Sequence, residues 1–247
     1  MSIKFHLTPY FAAAMLLGAE ADAIDTMQPI GEFRIDSTEV TVGQFRRFAD
    51  STGTVTDAER KGGGLVYAAG WEQRPGWTWM APYGRPAGDD EPAVHLTFDE
   101  ASAYCRWAGK RLPTDGEWSE AAYTERRATP PAPFVKGRTY PYPTGDDPAG
   151  ANCLGECGST AALDYSAVLD RGPGHARAGS TRPGVNGLYD MGANVWEWVD
   201  SSDESDKRTR GGSWWYGAAQ MHRDHVASKP RDMAVVYIGF RCAQDAS

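Results

Sequence analysis

Positive charge, long apolar runs and cysteine are all scarce in this sequence. Lysine and arginine together number 25 against 33 aspartate and glutamate residues, which gives a net charge of −8. This acidic balance excludes the basic surface field on which nucleic-acid binding depends. A membrane-spanning helix needs about 20 consecutive apolar residues, and the apolar stretch at residues 10–17 is too short. We therefore expect neither nucleic-acid binding nor stable insertion into a membrane.

Glycine, proline and tryptophan are plentiful by contrast, with 28, 16 and 9 copies. Glycine and proline interrupt helices, so this composition argues against a long-helix bundle or a coiled coil. The hydrophobic fraction of 41% is too high for a disordered chain. No internal repeat stands out at a period of about 20–50 residues, which argues against a solenoid or propeller. The sequence predicts one compact, loop-rich domain at residues 24–247.

The first 23 residues have the pattern of a secretory signal. Lys4 is followed by the apolar stretch, and Ala21-Asp22-Ala23 offers a cleavage site of small residues. We therefore expect a periplasmic or secreted protein. The alternative is a short, buried N-terminal helix.

Four cysteines, Cys105, Cys153, Cys157 and Cys242, form an even set. An oxidising compartment allows them to pair, and the sequence permits three pairings. A local Cys153–Cys157 bridge would leave Cys105 to close a long loop with Cys242. A zinc site is the competing interpretation, but the set lacks a second close pair of cysteines.

Three helix starts carry the capping-box pattern, in which a threonine is followed three residues later by a glutamate or glutamine. These pairs are Thr41 with Gln44, Thr97 with Glu100, and Thr114 with Glu117. We expect strands within residues 33–42 and 93–97. Residues 61–91 and 129–183 are rich in glycine and proline, and we expect irregular structure there.

Five strings resemble one known family when they are read in order. They are Arg111-Leu112-Pro113-Thr114 with Glu117-Trp118, Gly187-Leu188-Tyr189-Asp190-Met191, Asn194-Val195-Trp196-Glu197-Trp198, Arg210-Gly211-Gly212-Ser213-Trp214, and Gly239-Phe240-Arg241-Cys242. Together they closely resemble the formylglycine-generating enzyme, or sulfatase-modifying factor, family. The similarity runs from about Phe33 to Cys242 and so covers nearly all of residues 24–247.

The resemblance implies a mixed α+β fold related to the C-type lectins, with little regular secondary structure. In that fold a disulfide commonly joins the positions that are Cys105 and Cys242 here. The closed loop exceeds a hundred residues and would contribute about 4–5 kcal/mol in the chain-entropy model. We expect their Cα atoms within about 7 Å of each other, and the alternative is two buried, unpaired thiols.

The resemblance also implies two calcium sites, which suit loops that offer carboxylate and carbonyl oxygens. The first would use the Asn152 side chain, the Cys153 carbonyl, Asp170 and the Gly172 carbonyl. The second would use Asp190, the Ala193 and Val195 carbonyls, and Glu197. The alternatives are a turn residue at Asp170 and, at Glu197, a buried acid paired with an arginine.

The chain departs from the family at the catalytic centre. Two cysteines five residues apart, after the Gly-Gly-Ser-Trp string, hold copper(I) as thiolates in the family, and oxygen then oxidises a substrate cysteine to an aldehyde. Ungapped alignment places Tyr216 and Met221 at those positions. A phenol is a poor copper(I) ligand and a thioether a weak one. We therefore expect no copper at this centre.

Other features of the family pocket persist in the sequence. Ser213, Arg223 and Trp196 match family pocket positions, and Tyr237 stands where the family usually has asparagine. We predict that one concave site is lined by Ser213, Tyr216, Met221, His222, Arg223 and Trp196. Its aromatic and arginine side chains would suit a planar or anionic ligand. The alternative is that aromatic bulk has filled the old cavity.

Histidines raise one further metal hypothesis. His222, Asp224 and His225 offer the two-histidine, one-carboxylate set that holds iron in oxygen-activating sites, and the alternative is surface histidines beside solvated charges. We expect His95 in the core, and His175 has no visible partner in the sequence.

Three functions follow from these observations, and whether the protein is an enzyme stays open at this level. The first is an exported, oxygen- or metal-dependent oxidoreductase with altered chemistry, acting on a small molecule or peptide. The second is a ligand- or protein-binding module that catalyses nothing. The third is true formylglycine generation on sulfatases, which the missing cysteines disfavour.

Overall fold

The computed structural model describes residues 26–169 and 173–246, so the predicted signal at residues 1–23 lies outside the described residues. The described chain forms four α-helices: α1 (Val42–Thr52), α2 (Asp57–Arg60), α3 (Phe98–Trp107) and α4 (Asp115–Tyr123). It also forms nine short strands: β1 (Met27–Ile30), β2 (Phe33–Asp36), β3 (Leu65–Tyr67), β4 (Trp71–Gln73), β5 (Trp196–Trp198), β6 (Asp206–Arg210), β7 (Ala227–Pro230), β8 (Ile238–Gly239) and β9 (Ala243–Asp245). None of the helices among these residues is long and apolar enough to cross a membrane. The expected α+β fold with little regular structure is confirmed.

Threonine capping boxes fix where the helices begin. Thr41, Thr97 and Thr114 each accept a hydrogen bond from the backbone of the third helical residue, whose own side chain accepts one from the threonine N–H. Both halves of the motif satisfy backbone donors that a helix start leaves unpaired. The three predicted boxes are confirmed. A fourth box, Thr56 with Glu59, starts α2.

Three small sheets hold the irregular segments together. Strands β1, β2 and β9 form one sheet, so that β2 pairs antiparallel with both the preceding strand and the C-terminal one. Strands β3 and β4 form a hairpin. The third sheet has the order β7-β6-β5-β8, in which β5 and β8 run parallel. This last sheet carries Trp196 and Glu197 on β5.

Aromatic side chains and two disulfides fix the core. Phe45 of α1 packs against Tyr104 of α3 with ring centroids 5.9 Å apart. Cys105 and Cys242 are bonded, with a Cα–Cα distance of 5.7 Å, so the expected long-range pairing is confirmed. Cys153 and Cys157 form the second bridge at 5.6 Å. A long-lived structural disulfide is typical of oxidising compartments.

Two expectations about local structure are wrong. Residues 93–97 do not form a strand, because His95 has a left-handed backbone (φ +58°) that interrupts the extended conformation. Residues 61–91 are not wholly irregular, since they contain the β3–β4 hairpin. His95 does lie in the core, where its Nε2 atom is 3.0 Å from the Pro82 carbonyl and burial lowers its pKa to about 4.

Candidate functional site

Aromatic rings gather where the catalytic centre was expected. Tyr216 lies edge-on to Trp196, with ring centroids 6.0 Å apart, and edge-on to Tyr237 at 5.7 Å. The Tyr216 hydroxyl donates to the Tyr237 hydroxyl at 3.4 Å. Tyr237 and Trp196 are buried, whereas Tyr216 is partly exposed. Tyr216 is therefore the partly exposed member of this group of rings.

Glycines after β6 allow the backbone to place Tyr216. Gly211 has a φ of +94°, and a Cβ atom there would lie 2.8 Å from the Met191 carbonyl oxygen. Glycine alone among the residues fits both the conformation and the space. The following Ser213 is buried, and its Oγ accepts a hydrogen bond from the Trp215 N–H at 3.3 Å. Ser213 thus stabilises the turn that presents Tyr216.

Met221 lies apart from these rings. It ends a short 3-10 turn, Ala218–Met221, and packs in a separate apolar cluster with Ala151, Cys157, Ala193 and Ala218. Met221 is 1% exposed. The structure therefore places the two residues that align with the family's cysteines in different surroundings: Tyr216 is partly exposed among aromatic rings, and Met221 is buried in an apolar cluster.

His222, Arg223 and His225 follow on an irregular turn. The His222 ring lies against Tyr142 and the His225 ring against Trp196, with centroid distances of 5.4 and 5.7 Å. Arg223 is exposed.

The proposed iron ligands do not converge. His222 Nδ1 is 3.5 Å from Asp224 Oδ2, but the two histidine rings contact different neighbours. Across residues 26–169 and 173–246, no group of three or more His, Cys, Asp and Glu side chains is placed to hold a metal ion. His222, Asp224 and His225 therefore do not fit the iron site that the sequence suggested.

A buried polar chain that the sequence did not reveal lies beside the aromatic core. His175 is fully buried, with Nε2 2.7 Å from Glu91 Oε2 and Nδ1 2.9 Å from the Tyr83 hydroxyl. Tyr165 also donates its hydroxyl to Glu91 Oε2 at 2.8 Å. No partner of His175 is visible in the sequence, whereas the structure gives it two. Its partners lie 84 and 92 residues away along the chain, a separation that no local pattern reports.

The pKa values of Glu91 and His175 are both lowered in this hydrogen-bonded group. Burial opposes the charged form of Glu91, yet hydrogen bonds from His175 and the Gly88 N–H outweigh it and leave the pKa of Glu91 lowered. Burial lowers the pKa of His175, against the opposing effect of Glu91. The geometry therefore describes an ionised Glu91, a neutral His175 protonated on Nε2, and a Tyr83 phenol that donates to Nδ1.

Buried carboxylates surround the second expected calcium site. Glu197 accepts two hydrogen bonds from Arg241 at 2.8 Å each and one from the Trp118 indole at 2.7 Å. Asp190 accepts from the Gly179 N–H and the Thr181 hydroxyl, both at 2.5 Å. Glu197 is thus paired with an arginine.

Buried carboxyl groups nonetheless outnumber the cation Arg241 around this site. Burial, together with the neighbouring Asp190 and Glu197, raises the pKa of Glu39 well above its ordinary value. Burial raises the pKa of Asp190 as well, and Glu197 adds to that rise. Three buried carboxyl groups therefore act on one another, and the positive charge of Arg241 opposes the rise in the pKa of both Glu39 and Asp190.

Strained backbone marks the same segment. Asp190, Ala193 and Asn194 all have left-handed φ values, of +59°, +59° and +51°. An alanine in this region costs about 1 kcal/mol or more, and surrounding contacts must hold it there. The Asn194 amide supplies such contacts by donating to Glu39 Oε2 at 2.8 Å and accepting from Asn152 Nδ2 at 3.0 Å.

The first expected calcium site is described only in part, because Asp170 and Gly172 lie outside the described residues. The Asn152 side chain is buried, with its oxygen 3.0 Å from the Thr160 hydroxyl. Cys153 follows it and is bonded to Cys157.

An aromatic cleft of about 400 Å³ lies beside Trp215, the residue that precedes Tyr216. Trp215, whose ring is 5.6 Å from that of Tyr237, forms part of its wall. Its lining combines apolar and charged side chains: Val66, Ala68, Ala69, Glu72, Arg74, Trp77, Val168, Leu169 and Trp215. Arg74 pairs with Glu72 at 3.0 Å, and its Nε is buried with no hydrogen-bond partner among the described atoms. The cleft therefore combines apolar walls with the charged pair of Glu72 and Arg74.

Comparison with known proteins places these features in a family context. The family model described as "Sulfatase-modifying factor enzyme 1-like domain" matches residues 14–246. The formylglycine-generating enzyme of Streptomyces coelicolor is 31% identical, over 87% of this chain and 78% of its own length. The inactive C-alpha-formylglycine-generating enzyme 2 of Mus musculus is also 31% identical, over 94% of this chain and 83% of its own length.

A solved structure shares the fold. PvdO from Pseudomonas aeruginosa superposes with a TM-score of 0.59 at 20% identity, over 87% of this chain and 80% of that one. At this identity the likeness concerns the fold alone.

Proposed function

The chain belongs to the sulfatase-modifying factor enzyme 1-like family, and from that membership we propose that it is an exported oxidoreductase with altered chemistry. It oxidises a small molecule or peptide with dioxygen and does so without the copper-binding thiolates of its relatives. The single observation that carries the proposal is the partly exposed Tyr216, held between Trp196 and Tyr237 at the family's catalytic position.

The chemistry of the cysteines supports the altered reaction. All four are consumed by two disulfides, so no described residue can supply a copper(I) thiolate. Tyr216 instead offers a phenol whose hydrogen bond to the Tyr237 hydroxyl orients it. A phenol beside indole rings binds planar substrates by stacking and edge contacts. A planar, oxidisable ring is therefore the substrate class that we favour.

Oxygen uptake tests the proposal directly. The purified protein would be incubated with a panel of phenols, catechols and cysteine peptides while dissolved oxygen and product mass are recorded. We expect oxygen consumption with a phenolic substrate, and its loss in Tyr216→Phe. Tyr67→Phe is the control, because Tyr67 is exposed on the β3–β4 hairpin. Aldehyde formation on a cysteine peptide would instead support formylglycine generation.

A ligand-binding module is the second candidate. The cleft beside Trp215, with Arg74 in its lining, favours it, as does the 31% identity to a mouse relative described as inactive. Calorimetric binding of a planar carboxylate, lost in Arg74→Met and unaccompanied by oxygen uptake, would establish this function in place of the first.

We further propose a structural calcium ion at Asp190, Glu197 and the carbonyls of Ala193 and Val195. The excess of buried carboxyl groups supports it, because buried charges are ordinarily paired or bound to metal. The left-handed backbone at Ala193 also supports it, since an ion would offset that strain. The ion would stabilise the loop before β5 and take no part in the reaction.

Export is part of the same proposal. Two disulfides are consistent with an oxidising compartment. Localisation of the full chain in cell fractions, with N-terminal sequencing of the mature protein, would test cleavage after Ala23 and distinguish a periplasmic from a secreted product.

A further inference from the structure

A short loop closed by a disulfide, residues 153–157, lies against the turn that carries Tyr216. We call it the disulfide loop. Its Leu154 N–H donates to the Tyr216 carbonyl at 2.9 Å. Glu156 Oε2 accepts a hydrogen bond from the Ala218 N–H at 2.8 Å. The loop is therefore joined to the backbone at Tyr216 and again two residues later.

The second cysteine of the loop reaches the other half of the family's catalytic position. Cys157 is 1% exposed and lies in the same apolar cluster as Ala218 and Met221. The disulfide loop thus contacts both segments that align with the family's cysteines, Tyr216 through a backbone hydrogen bond and Met221 through apolar packing. A change in the loop therefore acts on both segments.

The disulfide is the main restraint on the tip of this loop. Leu154, Gly155 and Glu156 are all exposed, and an exposed segment with few apolar contacts opens easily. The bridge holds the Cα atoms of Cys153 and Cys157 at 5.6 Å. It thereby keeps the Leu154 N–H and the Glu156 carboxylate beside the turn.

The two disulfides of the protein differ in exposure. Cys105 and Cys242 are both 0% exposed, whereas Cys153 is partly exposed. Thiol–disulfide exchange requires a thiolate to attack a sulfur atom, so its rate depends on access to that atom. We therefore expect an external thiol to attack Cys153 before either cysteine of the long-range bridge.

We propose that the disulfide loop is a redox-sensitive clamp that positions Tyr216 and that an external dithiol releases it. A thiolate of the dithiol attacks Cys153 Sγ, a mixed disulfide forms, and the Cys153–Cys157 bond breaks. Cys157 leaves with the electron pair of that bond and takes a proton, because a thiolate is costly in an apolar cluster.

The second thiol of the reductant completes the exchange. As a thiolate it attacks the sulfur of the reductant in the mixed disulfide, and Cys153 leaves and takes a proton. The reductant ends as a disulfide and the loop as two thiols, so that two electrons and two protons have passed from the dithiol to the loop.

Release removes the restraint that keeps the loop beside the Tyr216 turn, so the turn moves more freely in the reduced protein. The inference rests on the proposed function in one respect, since it makes that function at Tyr216 depend on the redox state of the surroundings. It assigns no step of the reaction itself to the cysteines.

Graded reduction tests the difference in access. The full chain would be treated briefly with increasing dithiothreitol, alkylated with iodoacetamide, and mapped by mass spectrometry. We expect alkylation at Cys153 and Cys157 under conditions that leave Cys105 and Cys242 bonded. Opening of the long-range bridge first, or of both bridges together, would overturn the proposal.

Hydrogen exchange of the partly reduced protein tests the clamp. The Ala218 N–H donates directly to the loop, so exchange in the peptide 213–221 reports the contact. We expect this exchange to rise by about three- to tenfold on reduction, the range that one hydrogen bond supplies, and to fall again on reoxidation. Exchange in α4 should stay the same, which shows that the fold is intact. Unchanged exchange in residues 213–221 would overturn the proposal.

Glu156 provides a test with the disulfide intact. Glu156→Leu removes the acceptor and should raise exchange at Ala218, whereas Glu156→Gln keeps an acceptor oxygen and should restore most of the protection. Glu204→Leu is the control, because Glu204 is also exposed. Exchange at Ala218 that is the same in Glu156→Leu as in the wild type would contradict the positioning role of the loop.

The clamp and the proposed function fail separately, because hydrogen exchange needs no substrate. Faster exchange on reduction without oxygen uptake on any substrate would remove the oxidoreductase function and keep the clamp. Oxygen uptake together with unchanged exchange would do the reverse.

Discussion

Arg241 and Glu197 form a fully buried, doubly hydrogen-bonded ion pair. Arg241 Nε is 2.8 Å from Glu197 Oε2, and Nη2 is 2.8 Å from Oε1. The remaining donors of the guanidinium reach the carbonyls of Asp36 and Tyr189 at 2.9 and 2.8 Å. One side chain therefore joins the end of β2, the loop before β5, and β5 itself.

Removal of Arg241 is the first test of this arrangement. Arg241→Leu leaves Glu197 buried without its cation, and the loss of one partner from a buried pair costs about 3–5 kcal/mol. We expect a fall of this size in the free energy of unfolding, measured in urea.

Arg177→Leu is the matched control. Arg177 pairs with Asp90 at 2.6 Å, but both side chains are largely exposed, and such pairs contribute about 0–1 kcal/mol. Equal losses of unfolding free energy in the two variants would contradict the argument that burial makes the Arg241–Glu197 pair the more important of the two.

The two disulfides should differ in their contribution to stability. Chain entropy predicts about 5 kcal/mol for the Cys105–Cys242 bridge, whose sequence separation is 137, and about 2 kcal/mol for the Cys153–Cys157 bridge, whose separation is 4. Urea unfolding of the two double-alanine variants checks the order. A larger loss from the short bridge would show that local packing dominates.

Local patterns in the sequence predicted the helix starts and the fold well. A threonine capping box needs only four consecutive residues, so Thr41, Thr97 and Thr114 could be identified without tertiary information. The family strings predicted the Cys105–Cys242 pairing for the same reason. Each string is a short run of consecutive residues and can be identified without tertiary information. The strand expected at residues 93–97 failed because the left-handed backbone of His95 follows from its buried surroundings.

The candidate site was harder to predict because its parts come from distant segments. Tyr216 and Met221 are five residues apart, yet the 3-10 turn between them directs Met221 into another cluster. The chain of Glu91, His175 and Tyr83 has no signal in the sequence, since its members are distant and only folding brings them into contact. That the six residues Ser213, Tyr216, Met221, His222, Arg223 and Trp196 line one concave site stays a prediction.

Removal of calcium should destabilise the protein, and more so as the pH rises. Burial raises the pKa of Glu39 and Asp190 above 4.5 and 3.8, so without metal the folded state holds protons more tightly than the unfolded state. The stability that this contributes is present below the ordinary pKa values and is lost as the pH rises through the raised ones. A calcium ion bound at the proposed site would offset the loss.

Melting temperatures in EDTA and in calcium, measured from about pH 4 to pH 8, check this expectation. The two curves should meet at the acid end and separate towards neutral pH. Asp190→Asn should narrow the separation, because it removes one proposed ligand charge. Identical melting temperatures in EDTA and calcium at every pH would eliminate the calcium site.

Gly211 should tolerate no side chain. Its φ of +94° disfavours any L-residue, and a Cβ atom would meet the Met191 carbonyl oxygen at 2.8 Å and the Trp118 ring at 3.2 Å. Gly211→Ala therefore combines a conformational cost of about 1–2 kcal/mol with a backbone clash. Gly31→Ala is the control, because Gly31 also has a left-handed φ, of +62°, but no atom lies within 4 Å of its Cβ position. Urea unfolding should show a clearly larger loss of unfolding free energy for Gly211→Ala. Iodide quenching of fluorescence from the aromatic rings around Tyr216 should increase as the loop shifts. A loss no greater than that of Gly31→Ala would mean that the loop adjusts freely and that Gly211 does not fix the position of Tyr216.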